Sequence, residues 1–381
     1  MTVDDLRCGV YKKSTSTDTR STGGRRSTGP AMTSHDQGSD VEVTERLLAA
    51  ARNATTTCLG ATADDRAAVL YDGSTRPVAA ALERAFEEIG TRVSLVDVDA
   101  EGRRPMSKLP PAAFRSLEKA TVSAMALTTQ RGELSARREL LETVAARRIR
   151  HAHMPSITPD VFADGLAMDY REIARFIDHL DEIISSSRTI RITSAAGTDL
   201  ECRVPAPPML DKLDGLIRPD RWQNLPSGQI IVYPESAEGV FVADRNIGDW
   251  FEHKYDAGEH PVTLEFESGS IRTLRCDNAR FERDLSLFVR SSENSNRISE
   301  LVVGANLGLT QGHAGALFDG YRPGASISVG ALPAADLGWS SATFLPIVGR
   351  RNNLLVDDRE ILANDTFSDE ILEAAGVAGV F

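Results

Sequence analysis

A chain of 381 residues is long for a single core, so two domains are expected. A formal charge of -12 leaves no net basic character for binding a phosphate backbone, so a nucleic-acid partner is excluded. No run of about 18 apolar residues occurs and no apolar signal segment opens the chain, so no membrane partner is expected and the location reads as cytoplasmic.

Residues 1–42 are rich in Ser, Thr, Gly, Arg and Asp and read as a disordered tail, because they cannot bury enough apolar surface to offset their ordering entropy. Met32 within it is an alternative start. Residues 43–186 then alternate short apolar strands with helices. Glu42 to Arg52 reads as a helix, Arg66 to Asp72 as a buried strand, and Thr75 to Ile89 as an amphipathic helix closed by Gly90. Strands follow at Thr91 to Val98, Ala120 to Leu127 and Arg148 to Met154, with a helix over Gly132 to Arg147. This alternation predicts a parallel, helix-flanked sheet. The Asp72-Gly-Ser-Thr turn is a possible ligand edge, although a lone Asp-Gly is usually only a turn.

Pro159 to Ser185 has Phe162, Leu166, Tyr170, Ile173, Phe176 and Leu180 at helical spacing and reads as one long helix joining the domains. Residues 187–381 are β-rich. Thr189–Thr193 and Leu200–Val204 flank a Gly197-Thr-Asp turn and predict a hairpin. Further strands are expected at 229–233, 239–244, 262–267, 271–276, 298–306, 325–331 and 353–356. The fold class is therefore α/β: an N-terminal parallel-sheet α/β domain followed by a β-rich α+β domain.

Chemistry-bearing residues are scattered. Cys8, Cys58, Cys202 and Cys276 form no zinc spacing and read as free, mostly buried thiols. His151 and His153 share one strand face, where a structural role is the simpler reading. His253, Asp256, Glu259 and His260 occupy a polar loop that reads as solvated. Trp222, Trp250 and Trp339 fit core or interface positions better than a ligand pocket. No Gly-x-Ser-x-Gly elbow and no phosphate-binding Gly-rich loop is present.

Several segments occur in an order that resembles the aminopeptidase T (thermophilic leucyl aminopeptidase-like) family of metallopeptidases. They are Arg150-His-Ala-His-Met-Pro-Ser-Ile-Thr158, Asp169-Tyr, Ile190 to Leu200, Asn224-Leu-Pro-Ser-Gly228, Glu300-Leu-Val-Val-Gly-Ala-Asn306 and Asp319 to Gly330. The resemblance implies an inter-domain cleft, a homodimer and a pair of divalent ions. Some relatives are iron-dependent enzymes that open dihydroxypyridine rings. It also implies an altered site. Gln229 stands where the family has a glutamate ligand, and Glu300 is retained. Ser326 or Ser328 stands near the family's histidine, and Phe344 and Pro346 stand where it has His-x-Asp. No histidine follows His313.

The expected site is Glu300 as ligand or general base, with Gln229 and Asp319 positioning substrate. Glu300, His313 and Asp319 are the candidates for a rebuilt metal set holding Zn, Mn, Co or Fe below full family occupancy. The expected activity is that of a divergent hydrolase on a small amino-acid, peptide or amide substrate, with weak or absent ordinary aminopeptidase activity. A metal-free binding or scaffold protein, or a non-haem iron ring-cleaving dioxygenase, is the alternative.

Overall fold

The computed structural model describes residues 43–219, 221–309, 315–331 and 337–378; the expected tail, Cys8 and His313 lie outside these. The first four strands are β1 (Arg66–Tyr71), β2 (Arg92–Asp97), β3 (Val122–Leu127) and β4 (Arg150–Pro155). The later ones are β5 (Thr189–Ser194), β6 (Asp199–Arg203), β7 (Leu210–Leu213), β8 (Gln223–Asn224), β9 (Gln229–Val232), β10 (Ser236–Ala243) and β11 (Asn246–Ile247). They are followed by β12 (Val262–Glu267), β13 (Ser270–Cys276), β14 (Ile298–Gly304), β15 (Gly324–Val329), β16 (Leu345–Val348), β17 (Asn352–Val356), β18 (Arg359–Ala363) and β19 (Thr366–Phe367).

A parallel sheet is ordered β2-β1-β3-β4-β8, so its last strand comes from beyond residue 186. β3 is buried along its whole length, as a strand covered on both faces should be. One covering helix, Arg76–Ile89, carries a proline in its first turn and ends at Gly90 with φ +85°, a left-handed cap that glycine adopts without strain. It buries Val78, Leu82 and Phe86, each stabilising by roughly 1.5–3 kcal/mol. The two remaining sheets are antiparallel, ordered β13-β12-β10-β6-β5-β17-β18-β19 and β11-β16-β15-β14-β9-β7. This matches the expected fold class. β5 and β6 form the expected hairpin.

The long helix expected over 159–185 is instead two, Pro159–Gly165 and Tyr170–Ser185. The reason is packing that the periodicity cannot see. A Cβ at Gly165 would lie 2.2 Å from Pro226 Cγ, so only glycine fits where the first helix ends against the Leu225–Ser227 loop. The second helix then starts at a new cap, Asp169, which accepts from the Arg171 amide. The break delivers Tyr170 to the Leu225–Ser227 loop. Its hydroxyl donates to Gly165 O at 2.9 Å and accepts from Ser227 N at 2.9 Å. Asn306 Nδ2 donates to Gly165 O (2.9 Å) and Ser227 O (2.7 Å) in the same knot. The Asn224–Gly228 motif and Asn306 are thus joined structurally before any chemistry is considered. A helix over Ala279–Phe288, unassigned from the sequence, is capped by Asn278, which accepts from Arg280 N and Phe281 N.

Candidate functional site

The six-stranded sheet separates two kinds of residue by its period of two. Leu301, Val303, Ile327, Val329, Leu345 and Ile347 point into the main core. The opposite face begins at Glu300, whose register partner is Ser328; the next pair along is Val302 and Ser326. A bulge between Ile298 and Glu300 sets this parity, because Ile298 pairs with Val329 on the core side. Ser328 Oγ donates to Glu300 Oε2 at 3.0 Å, and both residues are buried.

Gln229 lies on the same face one strand over, opposite Gly304. It is therefore about 13 Å from the Glu300 position along the strand direction, four residues at about 3.3 Å each. Between them Ile231 and Val302 form a small apolar patch with Leu213 and Tyr233, onto which Leu337 packs. The pair Glu300 and Gln229 therefore brackets a buried apolar strip.

Asp319 ends the short helix Gly315–Asp319 and has a different environment. Its Oδ1 accepts from Arg322 Nε at 2.9 Å and lies 3.1 Å from Arg245 Nε. Asn246 Nδ2 reaches Oδ2 at 3.5 Å. Two guanidinium groups thus compete with any cation for this carboxylate. Among the described residues no hydrogen bond or ion pair joins Glu300, Gln229 and Asp319 to one another.

Burial holds the Arg322 guanidinium below its ordinary value, and the neighbouring Arg245 charge adds to this against the pull of Asp319. These arginines were not singled out in the sequence. The only signal for Arg322 was its spacing of three from Asp319, and Arg245 had none.

The crevice at the C-terminal ends of β1 and β3, where the strand order reverses, is the usual ligand position of such a sheet. Here the chain's own side chains fill it. Arg104 Nη1 donates to Asp72 at 2.8 Å, while its Nε and Nη2 donate to Glu133 at 2.8 and 2.6 Å. All three side chains are nearly inaccessible. Burial pushes the Asp72 carboxyl up, but the Ser74 hydroxyl, the Thr128 amide and Arg104 together hold it below the usual range. The Asp72-Gly-Ser-Thr turn is therefore a structural cap.

Beside it, Ser123 Oγ, His151 and His153 form a buried chain ending at Arg137. The steps are 2.8 Å from Ser123 Oγ to His151 Nδ1, 3.2 Å between the imidazoles, and 3.0 Å from Arg137 to His153 Nε2. Arginine can only donate, so His153 Nε2 accepts and each imidazole passes its one N–H towards Ser123. Burial lowers the His151 pKa to about 3. His260 is instead half-exposed and bonded to Asp277 at 2.8 Å, and Asp256 accepts from the Gly258 amide at 2.7 Å. Cys58 and Cys202 are buried and Cys276 partly so, all three free.

A metal centre needs three or more anionic or imidazole donors converging on one point. Among the described residues no three His, Cys, Asp or Glu side chains are so grouped. On the Glu300 face the cross-strand positions carry Ser328 and Pro346, neither a carboxylate nor an imidazole. The described residues do not fit a metal. No helix is long and apolar enough to cross a membrane among the described residues.

Comparison with known proteins fits this architecture. Residues 46–282 match the family profile of 2,5-dihydroxypyridine 5,6-dioxygenase (NicX), a stretch that includes Gln229 and ends before Glu300. A curated 2,5-dihydroxypyridine 5,6-dioxygenase of Pseudomonas putida is 27% identical over 116 residues, which is 30% of this chain and 33% of that protein. The chain thus aligns with about a third of the length of this curated relative. The solved structure of 2,5-dihydroxypyridine dioxygenase from Pseudomonas putida superposes with a TM-score of 0.59 at 19% identity, covering 84% of this chain and 96% of that one. Aminopeptidase T from Thermus thermophilus gives a TM-score of 0.59 at 14% identity over 84% and 98% of the two chains. The resemblance to aminopeptidase T therefore extends to the fold, while the match by sequence is to the dioxygenase family. The chain belongs to the 2,5-dihydroxypyridine 5,6-dioxygenase (NicX) family.

Proposed function

We propose that this protein acts on a small hydroxylated ring or cyclic amide bound along the Glu300–Gln229 face, as a cytoplasmic homodimer with weak or no ordinary aminopeptidase activity. The observation that carries this is the buried Ser328–Glu300 pair beside the apolar strip of Ile231 and Val302. Glu300 is placed to accept a proton from a ring hydroxyl, and Ser328 fixes the carboxylate that does so. Gln229 supplies a donor and an acceptor at the far end. Leu337 covers the strip, so binding requires that contact to open.

Both the family match and the curated relative's name favour a ring compound over a peptide. The non-ligand side chains at Gln229, at Ser326 or Ser328, and at Phe344 and Pro346, where the resemblance places metal ligands, support the low peptidase activity.

The test is a titration with 2,5-dihydroxypyridine and with leucine amide, followed by product analysis. Expected is binding of the ring compound that is lost in Glu300→Gln while the fold is retained. Efficient hydrolysis of leucine amide without ring binding would sink the reading. The absence of a metal-capable group among the described residues favours one other reading, a binding protein without turnover. It predicts affinity that survives chelators and yields no product.

A further inference from the structure

We propose that the surface formed by the helices Pro111–Leu117 and Leu134–Arg147 docks a short acidic segment of a partner protein. This surface belongs to the parallel sheet and is independent of the Glu300 face.

Residues 103–150 carry eleven arginines and lysines against four glutamates, in a chain whose formal charge is -12. The positive excess is therefore local, and the remainder of the chain is more acidic than the whole.

The fold gathers this stretch on one side of the sheet. Ala113 and Leu117 of the first helix, and Ala136, Leu140 and Val144 of the second, bury against Leu70 and Met125 in one cluster. The helix Arg76–Ile89 packs in the other cluster, together with Ala124 and Ala126 of β3, whose side chains alternate with Met125. The loop before the two helices is tied to the same surface. Leu109 N donates to Glu139 at 2.8 Å, and Met106 N donates to Glu133 at 3.0 Å. At the far end Arg147 donates to the Glu118 carbonyl at 3.2 Å. The second helix alone runs for about 20 Å, 14 residues at about 1.5 Å each.

The positive charge on this surface is unmet. Arg103, Lys108, Arg115, Lys119, Arg131 and Arg138 are exposed. Among the described residues none of the six has an ion pair or a side-chain hydrogen bond. The acids of the stretch are committed elsewhere. Glu133 holds the buried Arg104, Glu118 faces Arg147 at 3.4 Å, and Glu139 accepts from the Leu109 amide. That leaves Glu142 to offset six exposed cations. Beside Arg115 stands Phe114, 38% exposed, an apolar anchor within the basic surface.

Charge decides the occupant. A second copy docked about a twofold axis would set this basic surface against itself, so like charges would oppose its approach. A long polyanion would run off the surface into the acidic remainder of the chain. A short acidic segment ends at its edge. Screening acts over about 8 Å at physiological ionic strength, less than the length of the surface, so these cations outweigh the distant net charge. Four of the six are arginines, whose planar forks match the two oxygens of a carboxylate.

The experiment is fluorescence anisotropy of a labelled glutamate-rich peptide with a central phenylalanine, titrated with the full chain. Its glutamine analogue, a mixed-sequence single-stranded RNA and vesicles of phosphatidylserine and phosphatidylcholine are the comparison probes. The variants are the double reversal Arg115→Glu with Arg138→Glu, Phe114→Ala, and Arg290→Glu on another part of the chain, each checked by circular dichroism. Expected is peptide binding that weakens as salt is raised and falls about 10-fold or more in the double reversal. Phe114→Ala should weaken it several-fold, Arg290→Glu should leave it unchanged, and the glutamine analogue should not bind.

Equal binding of the glutamine analogue overturns the assignment, as does peptide binding unchanged in the double reversal or equally lost in Arg290→Glu. Where the double reversal does not fold, Lys108→Glu with Arg131→Glu decides in its place. RNA or vesicle binding tighter than peptide binding, and lost in the reversal, overturns the acidic-segment reading in favour of a phosphate-bearing partner. No binding of any probe overturns it as well.

Discussion

Ser328 and Glu300 face each other across β14 and β15, with the serine hydroxyl donating to the carboxylate at 3.0 Å inside a buried sheet face. A buried acid is held there by a neighbouring hydroxyl. The serine orients the carboxylate without placing a second metal donor beside it.

The first prediction concerns that pair. In a double-mutant cycle of Glu300→Gln and Ser328→Ala, unfolding free energies should show a coupling of about 1–3 kcal/mol, the range for a hydrogen bond to a charged or buried partner. Additive effects would show that the contact contributes nothing.

A second follows from the crevice cluster. Arg104→Met leaves Asp72 and Glu133 buried without their cation and should destabilise by about 3–5 kcal/mol. The wild-type cluster also sets an acid limit. Both carboxyls are held below their ordinary values despite burial, through hydrogen bonds and Arg104. Their contribution is complete above the unfolded carboxylate range of about 4 and is lost as pH falls through the lower folded values. Urea unfolding from pH 7 to pH 3 should show this loss, and Arg104→Met should flatten it.

The imidazole chain gives a third. His151 is lowered by burial to about 3, so the unfolded chain takes up its proton first. Stability from this group is complete above the unfolded value of about 6.5 and falls with pH below it, by about 2 kcal/mol between pH 6.5 and 5. Nitrogen NMR of the imidazoles should find His151 neutral at pH 5 in the folded protein. A protonated ring there would refute the buried chain.

Gly304 gives a fourth. A Cβ at this position would lie 1.7 Å from the Arg322 carbonyl oxygen, a backbone atom that cannot swing away. Gly304→Ala should destabilise by about 2–4 kcal/mol. Thermal unfolding of the variant beside the wild type checks this.

Much of the architecture was legible in the sequence. The β1–β4 segment announced itself through short apolar runs separated by capped helices, because strand and helix impose different periods on burial. The split at Gly165–Asp169 was masked by the apolar periodicity running through 159–185, although Gly165 and the capping Asp169 mark it locally. Gln229 and Glu300 could be named from their motifs, and His313 lies outside the described residues. Their common face could not be named, because it depends on the register of β9 against β14 and on the bulge before Glu300.

Asp319 shows the limit most directly. The sequence supplied the carboxylate and determined the fold that carries it. It also fixed the residue types along the Glu300 face, glutamine at 229 and serine at 326 and 328. Only the tertiary structure brought Arg245 and Arg322 onto Asp319 and set Ser326 beside them. Those partners lie 74 and 3 residues away along the chain, and which charges share a recess is decided by how strands pack, not by local propensity.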